Sequence, residues 1–283
     1  MNIIVAETAG FCMGVDMALR KLDSLLQSPG QASRVFTLGP IIHNPQVLQE
    51  YATRGVSQVD DPAILEAGQT VVIRAHGIPR NIESALQNKG VQIVDATCPK
   101  VKKAQLLIAK QAAAGRLLIL LGEADHPEVR GLLSYAASGA CVVDSEKELE
   151  ELLQDHPGPC FLAAQTTQDQ ELYARMAIML RQRLEPEIPV LNTICAATMN
   201  RQTEARAIAG QVQAVVVVGG RESGNTRRLV QVVEQAGIPC HHVEIADELP
   251  LERLHGLEKV GITAGASTPK SVIQAVVRRL QNT

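Results

Sequence analysis

Residues 214–225 read Ala214-Val215-Val216-Val217-Val218-Gly219-Gly220-Arg221-Glu222-Ser223-Gly224-Asn225. Four consecutive valines with no polar alternate suit a strand buried on both faces, as in a parallel sheet covered by helices. The glycine pair lets the backbone turn sharply and approach a ligand closely. Beyond Asn225, taken as the start of a helix, Leu229, Val232, Val233 and Ala236 keep helical spacing. Strand, glycine turn and amphipathic helix in that order predict a βα unit.

The same order recurs along the chain. Apolar runs stand at residues 3–6, 71–73, 91–94, 117–121, 141–143, 160–163 and 260–263. Helical spacing follows in Val15, Ala18, Leu19, Leu22, Leu25 and Leu26, and again in Leu106, Ala109, Lys110 and Ala113 after Pro99. Pro127 and Pro269 are placed as first-turn prolines, and residues 157–159 and 185–189 read as turns or linkers. Strands alternating with helices give the α/β class. So many strands fit several small lobes at least as well as one wide sheet.

Composition narrows the function. The chain has 283 residues, a formal net charge of −3, three Phe, three Tyr and no Trp. Its core is therefore built from Ala, Val, Ile and Leu. A stacking platform for single-stranded nucleic acid needs aromatic faces that are absent, and mild acidity opposes binding to a phosphate backbone. No nucleic-acid partner is expected. No apolar run reaches the roughly 18 residues of a membrane span, and Ile3-Ile4-Val5 follows the start with no basic region before it. Membrane association and secretion are not expected; a cytoplasmic location is. There, six cysteines remain thiols.

In open α/β sheets, ligands sit beyond the carboxyl ends of strands, and these ends carry the reactive residues. Residues 3–6 lead to Cys12, the run near Val35 to His43, residues 71–73 to His76, and Ile93-Val94 to Cys98. Residues 117–121 lead to His126 and Glu128, Phe161-Leu162 to Thr166, and Val190-Leu191 to Cys195. Residues 215–218 lead to Ser223 and Asn225, and residues 260–263 to Ser267. Nine such endings suggest convergence on a shared site.

Cys12, Cys98 and Cys195 lie about a third of the chain apart, whereas Cys141, Cys160 and Cys240 stand in or beside apolar runs and read as structural. No C-x-x-C pair marks zinc or a ferredoxin-type cluster. The spacing permits one cysteine from each of three lobes to meet at a centre, and three thiolates on a four-iron cluster would leave one iron open as a Lewis acid. The histidines with Ser223, Asn225, Ser267 and Thr166 read as an anion pocket rich in donors. No Walker A loop or G-x-G-x-x-G fingerprint supports a nucleotide. Glu128 reads either as a proton carrier or as a first-turn carboxylate complementing a helix dipole, the second being favoured for the residue alone. Lys100, Lys102 and Lys103 read as a solvated helix face, with an electron-donor docking patch as the alternative.

Taken in order, Gly10-Phe11-Cys12-Met13-Gly14-Val15, residues 39–44, Arg74-Ala75-His76-Gly77, residues 95–99, His126-Pro127-Glu128-Val129, Gln165-Thr166-Thr167, Thr193-Ile194-Cys195, Arg201-Gln202 and residues 261–269 resemble the 4-hydroxy-3-methylbut-2-enyl diphosphate reductase family. The resemblance spans effectively the whole chain. It implies a trefoil of three small α/β lobes, with mainly parallel sheets, around a central [4Fe-4S] cluster. The lobes are drawn at 14–97, 98–194, and 1–13 plus 195–283. It implies Cys12, Cys98 and Cys195 as cluster ligands, and His43, His76, His126, Ser223, Asn225 and Ser267 as diphosphate contacts. Glu128 matches the family's proton-delivering acid and Thr166 the residue near the substrate hydroxyl. The implied reaction is reductive dehydroxylation to isopentenyl and dimethylallyl diphosphate, with ferredoxin or flavodoxin as electron donor. Gly224 stands where the family has a second serine, Glu123-Ala124-Asp125 where a glycine often precedes the histidine, Asn192 for a frequent Asp and Gln105 for a frequent His. Two alternatives follow: an iron–sulfur dehydratase or reductase acting on another phosphorylated alcohol, and a non-catalytic iron–sulfur redox or sensor protein.

Overall fold

A computed structural model describes residues 1–27, 35–155 and 158–282, so Pro157 of the expected turn lies outside the described residues. The strands form three wholly parallel sheets. The chain divides into two compact units: Met1–Asp16, Ile42–Thr53 and the chain from Ala196 on make the first, Met17–Ile41 and Arg54–Cys195 the second.

The first unit holds one sheet, ordered β1-β11-β9-β10, from β1 (Asn2–Val5), β9 (Ala214–Val218), β10 (Cys240–Val243) and β11 (Lys259–Ala264). Its helices include α2 (Pro45–Thr53), α8 (Ala196–Ala209), α9 (Gly224–Gln235), α10 (Leu251–Leu254) and α11 (Lys270–Gln281); α1 (Met13–Leu26) begins in it. The valine run explains itself here. Val216 and Val218 pack with Ile262, Ile273 and Val276 on one face. Val215 and Val217 pack with Ile208, Leu229 and Val233 on the other. Alternate side chains point to opposite faces, and both faces are covered, so no polar residue fits. Each fully buried valine is worth on the order of 1.5–3 kcal/mol over an exposed one.

The second unit holds two sheets. One, ordered β3-β2-β4-β5, is built from β2 (Val35–Leu38), β3 (Ser57–Val59), β4 (Thr70–Ile73) and β5 (Gln92–Asp95), with α3 (Arg80–Asn88) and α4 (Pro99–Ala113). The other, ordered β7-β6-β8, is built from β6 (Leu117–Leu121), β7 (Ala140–Val143) and β8 (Cys160–Ala164), with α5 (Pro127–Leu133), α6 (Glu146–Gln154) and α7 (Gln170–Arg183). Leu118, Leu120, Phe161 and Ala163 pack on Ile108 of α4 and Val129 of α5. Proline occupies the first turn of both α4 and α5, where its missing N–H costs nothing.

Four details depart from expectation. Residues 190–191 form no strand beyond a single bridge to Leu162, because the Thr193 hydroxyl takes both the N–H and the C=O of Ala164, at 2.8 Å each. Those are the backbone groups a continuing ladder would need. Pro269 precedes α11 as its cap rather than sitting in its first turn. Helix α9 begins at Gly224 with Ser223 as cap, one residue before Asn225. The strands β3 and β10 escape the apolar-run criterion because Ser57 and Gln58 are exposed and His241 and His242 only partly buried, so neither strand needs a continuous apolar run. Among the described residues, no helix is long and apolar enough to cross a membrane.

Candidate functional site

In the first unit, β1, β11 and β9 lie side by side and parallel, so their exits emerge together. The Cys12 N–H donates to Ala266 O at 3.1 Å, and the Ala266 N–H donates to Asn225 Oδ1 at 3.3 Å. Ser267 Oγ donates to the His43 carbonyl at 3.1 Å. Ser223 caps α9, accepting from Thr226 N at 3.3 Å, which leaves the first helical N–H groups oriented for an anion. Gly220 is required by packing, since a Cβ there would lie 2.5 Å from His43 O. Cys12, His43, Ser223, Asn225 and Ser267 thus share one end of one sheet.

Arg201, read before only as part of a motif, has a clear local task. Buried on α8, its Nη2 donates to Gly10 O at 2.7 Å and its Nη1 to Ala197 O at 3.1 Å. This guanidinium holds the turn that carries Cys12. One helical step on, Glu204 accepts from Glu7 N at 2.7 Å and Thr8 N at 2.9 Å. Sequence reading missed Glu204. The available signal was its i,i+3 position on the Arg201 face of the helix.

In the second unit, β4 and β5 are neighbours, and the Cys98 N–H donates to Ala75 O at 2.9 Å, beside His76. The strands β6 and β8 are also neighbours and deliver His126, Glu128 and Thr166. The His76 and His126 rings meet edge to face, with centroids 5.1 Å apart. His126 caps α5, its Nδ1 accepting from Glu128 N at 3.1 Å. This hydrogen bond assigns the proton of the neutral ring to Nε2, which becomes its donor.

Glu128 is the first-turn carboxylate of α5, and its surroundings give it a second partner beyond the helix. It is in the first turn of α5 but only 1% exposed, and its carboxylate reaches across to Thr166. Oε1 accepts from Thr166 N at 2.6 Å and Oε2 from Thr166 Oγ1 at 2.9 Å. Burial pushes its pKa up to about 7, against the pull of these two hydrogen bonds. The Thr166 carbonyl in turn accepts from Cys195 N at 3.0 Å. A continuous path of contacts therefore runs His76, His126, Glu128, Thr166, Cys195. Gln105, on α4, packs against the backbone at Gly77.

The six cysteines, none of them in a disulfide, divide by position. Cys12, Cys98 and Cys195 each stand one residue before a helix, namely α1, α4 and α8. The Val15 N–H points at Cys12 Sγ, 3.5 Å away. Cys141, Cys160 and Cys240 instead occupy the first or second residues of β7, β8 and β10. Burial raises the Cys160 thiol to about 11 and the Cys240 thiol to about 12.

Parallel sheets with thiol, imidazole and buried carboxyl groups gathered at their strand ends define a parallel α/β enzyme. The chain matches the family described as LytB protein over residues 3–281, and it belongs to that family. The 4-hydroxy-3-methylbut-2-enyl diphosphate reductase of Solidesulfovibrio magneticus is 55% identical over 285 residues, covering 100% of both chains. Its namesake in a Geobacter species is 42% identical over 280 residues, covering 99% of this chain and 97% of its own. Among solved structures, the E-1-hydroxy-2-methyl-but-2-enyl-4-diphosphate reductase of Plasmodium falciparum matches with a TM-score of 0.93 at 26% identity, over 99% of this chain and 88% of that one. A second, (E)-4-hydroxy-3-methyl-but-2-enyl diphosphate reductase, described as the terminal enzyme of the non-mevalonate pathway, matches with a TM-score of 0.70 at 38% identity over 100% of each chain.

Proposed function

We propose that the protein reduces 4-hydroxy-3-methylbut-2-enyl diphosphate to isopentenyl diphosphate and dimethylallyl diphosphate, with a [4Fe-4S] cluster ligated by Cys12, Cys98 and Cys195. Two electrons and two protons are consumed; the allylic C–O bond breaks, the hydroxyl leaves as water, and carbon takes the second proton. Beyond the family, the observation that carries this reading is the buried Glu128–Thr166 pair, joined through the Thr166 carbonyl to the Cys195 N–H.

The donor set suits a thiolate-bound group. Metal ligation needs thiolate, helix N-termini favour negative charge, and the three cysteines stand at helix starts. When bound, the cluster supplies the electrons and, at an iron without a protein ligand, a Lewis acid for the hydroxyl. The protein's own groups do the rest. Glu128, raised to about 7, holds a proton near neutrality and passes it through Thr166 Oγ1 toward the departing hydroxyl. His43, His76, His126, Ser223, Asn225 and Ser267 hold the diphosphate, with the His126 Nε2–H and the first N–H groups of α9 among the donors.

On the lobe bounds 14–97, 98–194 and 1–13 plus 195–283, Cys12 and Cys195 belong to the third lobe and Cys98 opens the second, while Cys12 and Cys98 stand just outside the two ends of the first. Ferredoxin or flavodoxin delivers the electrons. A cytoplasmic setting is part of the same reading. One observation favours a second reading: Gly224 opens α9 with an N–H but no hydroxyl, which would suit another phosphorylated alcohol. Anaerobic purification should yield a brown protein with iron and sulfide. Turnover of hydroxymethylbutenyl diphosphate with a chemical reductant, beside a panel of phosphorylated alcohols, decides between the two. Iron-free protein, or no turnover of any of them, rejects both.

A further inference from the structure

The helix α4 opens with Cys98 at its cap and reads Pro99-Lys100-Val101-Lys102-Lys103-Ala104-Gln105-Leu106-Leu107-Ile108-Ala109-Lys110. Its fifteen residues include four lysines and no acid, in a chain whose formal net charge is −3. Val101, Ala104, Gln105 and Ile108 are buried, which turns the opposite face to solvent. There Leu106 is 70% exposed, the most exposed of the large hydrophobics among the described residues. Lys102, Lys103 and Lys110 sit at i−4, i−3 and i+4 from it, and so are its neighbours on the helix surface. Lys102 pairs with Asp95; among the described residues no ion pair holds Lys100, Lys103 or Lys110. A pocket of about 200 Å³ opens beside Lys102 and Leu106.

Along the helix Leu106 is flanked by Lys102, Lys103 and Lys110, while the pocket beside it also takes in Glu83 and Asp95. Protein interfaces place an apolar contact inside a polar, charged rim. Electron-transfer encounters are small and transient, with charge complementarity guiding approach and orientation. We infer that the Lys102–Lys103–Leu106–Lys110 face of α4 docks a small acidic one-electron carrier protein. This rests on the reading of Cys98 as a cluster ligand. Leu106 lies about 12 Å from Cys98 along the helix axis at 1.5 Å rise per residue, so a carrier seated on this face approaches the ligand end of the same helix. Each docking transfers one electron and leaves one carrier oxidised; two dockings supply the pair that the reaction consumes.

The test uses holoenzyme in two variants, K103E/K110E and L106S, neither touching the proposed active site. Carrier binding is measured by titration calorimetry with an oxidised plant-type ferredoxin. Turnover is measured with the same ferredoxin reduced, and with a small viologen reductant. The charge-reversed variant should weaken binding and raise the KM for ferredoxin about tenfold at low salt, and the difference should shrink as ionic strength rises. L106S should weaken binding at all salt concentrations. Viologen-driven turnover and iron content should match wild type in both. Wild-type ferredoxin affinity and KM in both variants would overturn the docking face. Absence of iron, or of viologen turnover in the wild-type protein, would instead reject the reductase reading.

Discussion

Replacing Glu128 by glutamine removes the ionisable group and keeps its shape. In the wild-type protein burial lifts Glu128 from 4.5 to about 7, a displacement of about 2.5 units, worth about 3 kcal/mol at 1.36 kcal/mol per unit. The folded chain binds this proton more tightly than the unfolded chain does. Its contribution to stability is therefore complete below pH 4.5 and lost as the pH rises through about 7. The E128Q variant has no such dependence. Its amide oxygen still accepts from Thr166 N, and the Thr166 hydroxyl, a donor in the wild-type pair, rotates to accept from the amide nitrogen. Urea unfolding of both proteins across pH 4 to 9 should show near-equal stability at the acid end. At the alkaline end E128Q should be the more stable, by about 3 kcal/mol.

Activity should move the opposite way. If neutral Glu128 delivers the proton, wild-type kcat is level below about 7 and falls about tenfold per pH unit above it. Loss of a positioned acid costs on the order of a hundredfold to ten-thousandfold, so E128Q should bind substrate with nearly the wild-type Kd, turn over slowly and lack the alkaline limb. Two results would refute the reasoning: a stability difference that does not change with pH, or E128Q turnover at the wild-type rate with the limb intact.

Three further outcomes are expected. Serine at Cys12, Cys98 or Cys195 should each abolish most bound iron and activity, whereas serine at Cys141, Cys160 or Cys240 should leave iron content intact; iron and sulfide analysis decides. G220A sets a Cβ 2.5 Å from His43 O and should lose about 1–3 kcal/mol of stability by overpacking, with a raised substrate KM, read by thermal unfolding and steady-state kinetics. T166V deletes both the hydroxyl donor to Glu128 Oε2 and the proposed proton relay; a hydrogen bond to a charged group is worth about 1.5–3 kcal/mol, so kcat should fall and the pH dependence of stability should reach about one to two pH units higher, read by turnover and by urea unfolding across pH.

The alternation of strands and helices was legible because every central strand is buried on two faces, which forces continuous apolar runs such as residues 215–218. The strands β3 and β10 were not, because their exposed or partly buried Ser57, Gln58, His241 and His242 break any apolar run. The family's site residues were legible as motifs, but their partners were not. The destination of the Glu128 carboxylate is a threonine 38 residues away. Arg201 holds a carbonyl 191 residues away. Nothing local distinguishes a first-turn glutamate that complements its own helix from one that reaches the next strand. The difference is that Thr166 leaves β8 beside β6, a pairing that only the sheet creates.

Position within the βα unit, rather than burial, separates the six thiols. Cys98 and Cys141 are both half-buried, so exposure alone makes them equivalent. Cys98 follows a strand and opens a helix, where backbone N–H groups have no partners within the helix and the dipole is positive. Cys141 lies near the start of a strand, the end of a parallel sheet that receives helix C-termini. Cys160 and Cys240 share that end, and acidic neighbours there, Glu185 and Glu234, add to the effect of burial in raising their thiols. A parallel α/β unit therefore offers a thiolate only one favourable end, the strand-exit end of its own sheet, where one unit places Thr166 and His126 and the other, by itself, Asn225. The three cysteines proposed to hold iron are the three that occupy it.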